Sequence, residues 1–279
     1  MRSYDIRPTK SLGQNFLNDL GVVREIVSIA ELSKDDAVIE IGPGLGVMTS
    51  MLAEEAGMVV AVEIDTKLLK VLEPLKISKG NIEIINEDIL KLDIKRDIIE
   101  KYIVPNGYKS VKVVANLPYY ITTPIIMKLL EEYPNFDFIT VMVQKEVAVR
   151  LCAPAGDSEY GAITAQINLY GKAKRLFTVP SGCFYPRPKI DSAVIRIELY
   201  KEEMYSKELA KETSKVIKNA FAMRRKTLSN ALSGMYPKLS KEELGNIIAE
   251  ALGKGADVRG EKLTTKEFSI LAQKLNEYK

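Results

Sequence analysis

Residues 37–47 read Ala37-Val38-Ile39-Glu40-Ile41-Gly42-Pro43-Gly44-Leu45-Gly46-Val47, and Met58-Val59-Val60-Ala61-Val62 follows eleven positions on. An apolar run over Ala37–Ile41 ends in a glycine-rich turn. A helical pattern occupies Val47–Ala56, and Met58–Val62 is a second apolar run. Short apolar runs bounded by turn residues, with helix-length segments between them, mark a strand-helix-strand unit. The alternation continues outward. Further strand candidates are Ile82–Asn86, Val111–Ala115, Phe138–Gln144, Ile163–Leu169 and Ala193–Leu199, and helical patterns fall at Lys67–Leu75, Thr123–Glu132 and Lys145–Leu151. The pattern predicts an α/β domain with a parallel, doubly wound sheet. A Gly/Pro-rich stretch replaces a helix between the last two strand candidates, which predicts an antiparallel pair at one edge.

After Tyr200 the pattern changes. Lys207–Met223, Arg225–Leu232, Lys241–Leu252 and Thr265–Asn276 all read as amphipathic helices. Ser240 with Glu243, and Thr264 with Glu267, are spaced as capping boxes. We place a domain boundary here, giving residues 1–200 and 201–279, in keeping with a chain of 279 residues.

Composition narrows the chemistry. Hydrophobic residues make up 46% and charged residues 28%, as in ordinary globular proteins. The chain has no histidine. That excludes Ser-His-Asp and Cys-His catalysis, histidine-ligated zinc and a histidine proton shuttle. With two cysteines, Cys152 and Cys183, a thiolate zinc site also lacks ligands, so no metal is expected. The cysteines read as free thiols in a reducing compartment, one disulfide between them being the alternative. The N-terminal MRSYDIRPTKSLGQNFLND carries charge where a signal sequence needs an apolar core. No apolar run approaches the roughly 18 residues of a membrane span. A cytoplasmic protein is expected. The net charge of +3 is uneven: residues 201–279 hold 16 Lys+Arg against 11 Asp+Glu, and the first 200 residues hold 24 against 26. A basic C-terminal region suits a polyanionic partner, although charged helix surfaces are common.

Glycines in the turn after Ala37–Ile41 allow a tight bend and a close approach of backbone amides to a ligand. The dinucleotide pattern GxGxxG does not fit, because Gly46 comes one residue early. Glu63 ends the next strand, 21 residues after Gly42. A carboxylate there is placed to accept both hydroxyls of a ribose. Asp88 follows the third strand, where it could accept from an adenine amino group; alone, each acid reads equally as a helix cap or a solvated charge. Three consecutive strand ends carrying a glycine loop and two acids form a nucleoside-binding crevice, which suits NAD and S-adenosylmethionine alike.

Asn116-Leu117-Pro118-Tyr119 follows the fourth strand. Pro118 holds Leu117 extended. The Asn116 side-chain oxygen and a nearby backbone carbonyl can accept both N–H bonds of an adenine N6, and Tyr119 can stack on the ring. Such acceptors raise electron density on a nitrogen that is otherwise delocalised into the purine. The methylated nitrogen is a strong acid, so the absence of histidine is no obstacle.

At these residues the chain resembles S-adenosylmethionine-dependent adenine-N6 methyltransferases. More narrowly, it resembles the ribosomal RNA small-subunit adenine N6,N6-dimethyltransferase family, the KsgA type. Four further segments carry the resemblance: Lys10–Leu17 (KSLGQNFL), Gln144–Ala148 (QKEVA), Phe184–Ser192 (FYPRPKIDS) and Phe221–Leu228 (FAMRRKTL). It implies a Rossmann-like, seven-stranded methyltransferase fold with a small helical C-terminal domain for RNA binding. Cofactor contacts are implied at Asn15, Leu17, Gly42, Gly44, Glu63, Asp88 and Asn116. A target-adenine pocket is implied at Asn116, Leu117, Tyr119 and Phe184, with two aromatic faces around a flipped base. The expected substrate is 16S rRNA in the small ribosomal subunit, dimethylated on two adjacent adenosines near its 3′ end by a monomeric enzyme. Basic residues placed to meet phosphates are Arg2, Arg7 and Lys10 near the N-terminus, Arg187 and Lys189 beside the expected clamp, and Arg224, Arg225 and Lys226 on an expected helix. The rival readings are the resistance-type enzyme that methylates one adenine in large-subunit RNA, a non-catalytic RNA-binding assembly factor, and, least supported, an NAD-dependent oxidoreductase.

Overall fold

A computed structural model describes residues 8, 9 and 12–278. Arg2, Arg7 and Lys10 lie outside the described residues. The chain divides into two compact units: residues up to Ala148 together with Lys174–Lys201, and Val149–Ala173 together with Glu202–Lys279. The last of the three breaks lies beside the boundary expected at 200/201, but residues 149–173 group with the C-terminal helices.

The strands of the described residues are β1 (Phe16–Leu17), β2 (Asp36–Ile41), β3 (Met58–Val62), β4 (Ile82–Ile85), β5 (Ser110–Asn116), β6 (Phe138–Gln144), β7 (Gly171–Val179), β8 (Phe184–Tyr185) and β9 (Ser192–Leu199). Seven of them form one sheet in the order β4-β3-β2-β5-β6-β9-β7. The pairs β2·β3, β2·β5, β3·β4 and β5·β6 are parallel. The helices α2 (Val47–Glu55), α3 (Leu69–Lys79) and α4 (Thr122–Glu132), with a wide-turn helix over Ile94–Ile103, supply the crossovers that parallel strands need, while α1 (Leu20–Ile29) precedes β2 and α5 (Lys145–Leu151) follows β6. β2 and β3 are buried along their whole length, which is why they read as unbroken apolar runs.

At the far edge β9 runs antiparallel to β6, pairing Val141 with Ile195, and lies between β6 and β7. The antiparallel pair expected of Ile163–Leu169 with Ala193–Leu199 does not form: β9 pairs with β6, and Ile163–Leu169 is not a strand. Ile163–Leu169 alternates apolar and polar residues as a strand does, yet Ala162–Ile167 is a short helix, α6. Its polar residues are buried and satisfied: Thr164 Oγ1 donates to the Arg150 carbonyl at 2.6 Å and Gln166 Nε2 to Ser214 Oγ at 2.6 Å. The seventh strand is β7 instead, whose Lys172, Lys174 and Arg175 are exposed, as suits a sheet edge.

The second unit packs α7 (Lys207–Ala222), α8 (Leu228–Leu232), α9 (Lys241–Leu252) and α10 (Thr265–Leu275) around a core that includes Ile217, Leu232, Ile248 and Phe268. Both capping boxes form. Arg224–Lys226 do not lie on a helix: α7 ends at Ala222, and the three residues make an exposed turn before α8, which Thr227 caps.

Candidate active site

β2 sits where the sheet changes direction, with β3 and β4 to one side and β5 to the other, so a crevice opens beyond the C-terminal ends of β2 and β5. Gly42 follows β2 and Asn116 ends β5, on neighbouring strands in register. Gly42, Gly44 and Gly46 take φ of +69°, +60° and +76°. This left-handed backbone suits glycine, and a Cβ on Gly46 would come within 2.9 Å of Leu75. The loop folds back on the next strand: the Gly42 amide donates to the Val62 carbonyl at 2.9 Å and the Gly44 amide to Glu63 Oε2 at 3.2 Å.

The cavity at this point is lined by Gly42, Gly44, Glu63 and Asp88, by Asn15 and Leu17, and by Asn116, Leu117 and Tyr119. The strand ends thus bring together nine of the residues named from the sequence. Glu63 is 4% exposed. Burial raises its pKa, against the amides of Asp65 and Gly44 that donate to its carboxylate. Asp88 Oδ1 accepts from the Leu90 amide at 2.9 Å, so it also organises the turn after β4. The rim residue Asp65 accepts from Gln14 Nε2 at 2.9 Å and from the Thr9 hydroxyl, which ties the segment around Asn15 to the end of β3.

Asn116 Nδ2 donates to the Asn15 carbonyl at 3.1 Å. This bond fixes which way the amide points and leaves Oδ1 as its acceptor. Past Asn116, the Pro118 carbonyl accepts from Thr122 Oγ1 and the Ile121 amide, whereas the Leu117 carbonyl accepts no hydrogen bond among the described residues. Leu117 is 1% exposed, so its side chain belongs to the core and its backbone carbonyl is the polar group it offers. The Tyr119 hydroxyl bonds to Ser192 Oγ at 2.7 Å. Burial raises its pKa, leaving the ring as the group able to act on a ligand.

Phe184 stands apart. It is 3% exposed, packs within the core cluster that contains Val23 and Met142, and does not line the cavity. Its backbone pairs with Leu17 across β1 and β8, so it backs a cavity wall. Arg187 and Lys189 are exposed beyond it, and Arg187 Nε donates to Ser181 Oγ at 3.1 Å. Arg224 is engaged with Glu261 at 3.0 Å, while Arg225 and Lys226 make no ion pair among the described residues.

Sequence reading gave Glu40 no role, yet it lines the same cavity. It is fully buried, and neither carboxylate oxygen has a hydrogen-bond partner among the described residues. The signal for it was an acid inside the apolar run Ala37–Ile41, two residues before Gly42. An orphaned buried carboxylate, a backbone cradle open only to glycine and an acid at the second strand end fit an adenosyl ligand that carries positive charge.

A sequence profile described as "Ribosomal RNA adenine dimethylase" matches residues 7–261. The chain belongs to the ribosomal RNA adenine dimethylase family. It has the family's Rossmann-like methyltransferase fold, and S-adenosylmethionine is its cofactor. A relative from Lachnoclostridium phytofermentans named Ribosomal RNA small subunit methyltransferase A is 48% identical over 271 residues, covering 96% of this chain and 91% of its own length. Among solved structures, a dimethyladenosine transferase from Plasmodium falciparum superposes with a TM-score of 0.78 at 25% identity, covering 94% of this chain and 98% of that one. The 23S rRNA methyltransferase ErmE gives a TM-score of 0.69 at 25% identity, over 94% of this chain and 100% of its own.

Proposed function

We propose that this dimethylase modifies N6 of two adjacent adenosines near the 3′ end of 16S rRNA, giving N6,N6-dimethyladenosine during small-subunit biogenesis, and that it acts as a cytoplasmic monomer. No helix among the described residues is long and apolar enough to cross a membrane. The observation that carries the reading is the orientation of Asn116, whose amide nitrogen is committed to Asn15 so that its oxygen accepts.

S-adenosylmethionine supplies a methyl group on a sulfonium, with a neutral thioether as leaving group. Asn15, Leu17, the Gly42–Gly44 backbone, Glu63 and Asp88 hold it, Glu63 serving the ribose and Asp88 the adenine. Asn116 Oδ1 and the Leu117 carbonyl accept the two N6 hydrogens of the target base. Holding both bonds keeps the nitrogen lone pair available and aimed along the line of attack. Tyr119 stacks on the flipped base, and Phe184 supports this pocket from behind Leu17. Because the methylated N6 sheds its proton readily, no strong base is required. Monomethyladenine still has one N6 hydrogen, so one acceptor suffices for the second transfer. Arg187, Lys189, Arg224, Arg225 and Lys226 contact phosphates and position the RNA, with residues 201–279 as the RNA-binding region.

Transfer of labelled methyl groups to unmodified small- and large-subunit particles, followed by nucleoside analysis, tests this. The expected product is dimethyladenosine in 16S rRNA alone. Label confined to large-subunit RNA would overturn the substrate assignment, and no label in either particle would argue for an assembly factor without catalysis.

A further inference from the structure

Of the buried acids that line this cavity among the described residues, Glu40 is the one that the cofactor reading above leaves without a task. It lies in the centre of the sheet, beside Ala61 of β3 and Val114 of β5, and is 0% exposed. Leaving a buried carboxylate unpaired costs several kcal/mol if it is charged, so such a group keeps its proton until a partner arrives.

The surroundings supply no partner of opposite charge. From α2, the Thr49 hydroxyl faces Glu40 but does not meet hydrogen-bond geometry, and that hydroxyl is itself unpaired. From the end of β3, Glu63 bears on it with the same sign. On β5, Lys112 is committed to Asp36 at 2.9 Å, and Asn116 is neutral. On α1, which contributes Val23 to the wall, Arg24 and Glu25 are exposed. On α2, Glu54 pairs with Lys79, and Glu55 is exposed. Around the whole cavity the described lining includes the acids Glu40, Glu63, Glu87 and Asp88 and no lysine or arginine.

We propose that Glu40 couples cofactor binding to proton release: its carboxyl is neutral in the free enzyme, and it ionises against the positive charge that S-adenosylmethionine brings into the cavity. The proton leaves to bulk buffer and the carboxylate remains as the counter-ion. Burial is the main cause holding the proton on, with the Glu63 charge adding and the Thr49 hydroxyl opposing, and together they push the Glu40 pKa up to about 8. Coupling should track ligand charge. Beside the carboxylate that both share, S-adenosylmethionine carries a sulfonium and an ammonium and is a net cation, S-adenosylhomocysteine carries the ammonium alone and is a neutral zwitterion, and adenosine has no charged group. The donor is thereby favoured over the spent product in a site that must exchange one for the other between transfers. The inference rests on the cofactor reading of this cavity.

A binding measurement tests it without turnover. Isothermal titration of the full chain at pH 7, in buffers of low and high ionisation enthalpy, gives the number of protons exchanged per ligand bound. The chain has no histidine, so no ordinary side chain of its own titrates near this pH. Uptake by the ligand's amino group would have the opposite sign. The expected result is release of roughly 0.9 proton with S-adenosylmethionine, as a carboxyl of pKa about 8 requires at pH 7. Release should be smaller with S-adenosylhomocysteine, absent with adenosine, and gone above about pH 9.5, where the carboxyl is already ionised. Glu40→Gln should abolish it, and the wild-type pH series decides the matter should that variant fail to fold. Binding of S-adenosylmethionine with no buffer-dependent heat overturns this proposal alone, whereas no binding overturns the cofactor reading with it.

Discussion

Asp36 and Glu40 stand four residues apart on one buried strand, their side chains on the same face, and they are treated in opposite ways. Asp36 is 4% exposed and fully partnered: it accepts from Lys112 Nζ at 2.9 Å, from the Ser33 amide and hydroxyl, and from the Ser110 hydroxyl. Burial pushes its pKa up, but the Ser110, Lys112 and Ser33 bonds outweigh burial and the net direction is down. The surrounding network is extensive. Lys112 also donates to the Glu31 carbonyl at 2.7 Å, and Arg196 stacks on Phe138 at 4.3 Å while pairing with Glu31. Glu40, at the other end, has none of this. One end of the strand satisfies its charge to hold the sheet together, and the other leaves a buried carboxyl without a partner beside the cavity. In an open α/β sheet those are the N-terminal and C-terminal ends, so substitutions at the two ends should separate stability from activity.

The largest effect is expected at the ligand end. Asn116→Ala removes the acceptor proposed for an N6 hydrogen and should lower kcat/KM by roughly 10³-fold, the scale seen when one positioned group is lost from a polar catalytic site. The fold should tolerate it, because a half-buried side chain with one hydrogen bond contributes only about 1 kcal/mol. Methyl-transfer rates measured beside urea unfolding check both halves. Retained transfer would remove Asn116 from the mechanism, and a collapse in stability would erase the division between the two ends.

The reverse pattern belongs to Lys112→Met. It strands the Asp36 carboxylate in a buried site, a change expected to cost about 3 kcal/mol of stability. Affinity for S-adenosylmethionine, measured calorimetrically well below the unfolding temperature, should stay within twofold. A matching fall in affinity would mean that the network reaches the cavity and the two ends are not independent.

The sequence disclosed these ends unequally. Glycine spacing and strand-end position located Gly42, Gly44, Glu63, Asp88 and Asn116, because backbone turns and register set where those groups go. Patterns that depend on the tertiary environment misled. Ile163–Leu169 alternates like a strand, but Thr164 and Gln166 find buried partners, and the segment winds into α6. β7 escaped notice because an edge strand carrying Lys172, Lys174 and Arg175 lacks an apolar run. Arg224–Lys226 were placed on a helix that stops two residues earlier. Phe184 shows no sequence mark that separates a core ring from a stacking one, and only its 3% exposure does. The state of Glu40 was equally invisible, since an acid in a strand acquires its meaning from which neighbours fail to reach it.

That last point yields the smallest of the expected effects and the sharpest contrast between the two ends. A carboxyl whose folded pKa is raised from 4.5 to about 8 contributes stability that is fully present below 4.5 and lost as pH rises through 8. A carboxyl whose folded pKa is lowered, as for Asp36, contributes stability that is present above its unfolded value of 3.8 and lost as pH falls through the folded one. The two ends of β2 therefore fail on opposite sides of neutrality. Between pH 5.5 and 8.5 the Glu40 end should cost the wild type at most roughly 1.4 kcal/mol per pH unit, the linkage of one proton, levelling off above pH 8. Glu40→Gln has no proton to lose at that position, so its stability should fall less steeply than the wild type's over that interval and should exceed it at pH 8.5, Glu63, whose pKa burial also raises, acting on both alike. Asp36 is already ionised throughout the window and leaves the comparison undisturbed. Parallel slopes for wild type and variant would mean that Glu40 is ionised throughout, and the contrast between the two ends of the strand would then have to rest on geometry alone.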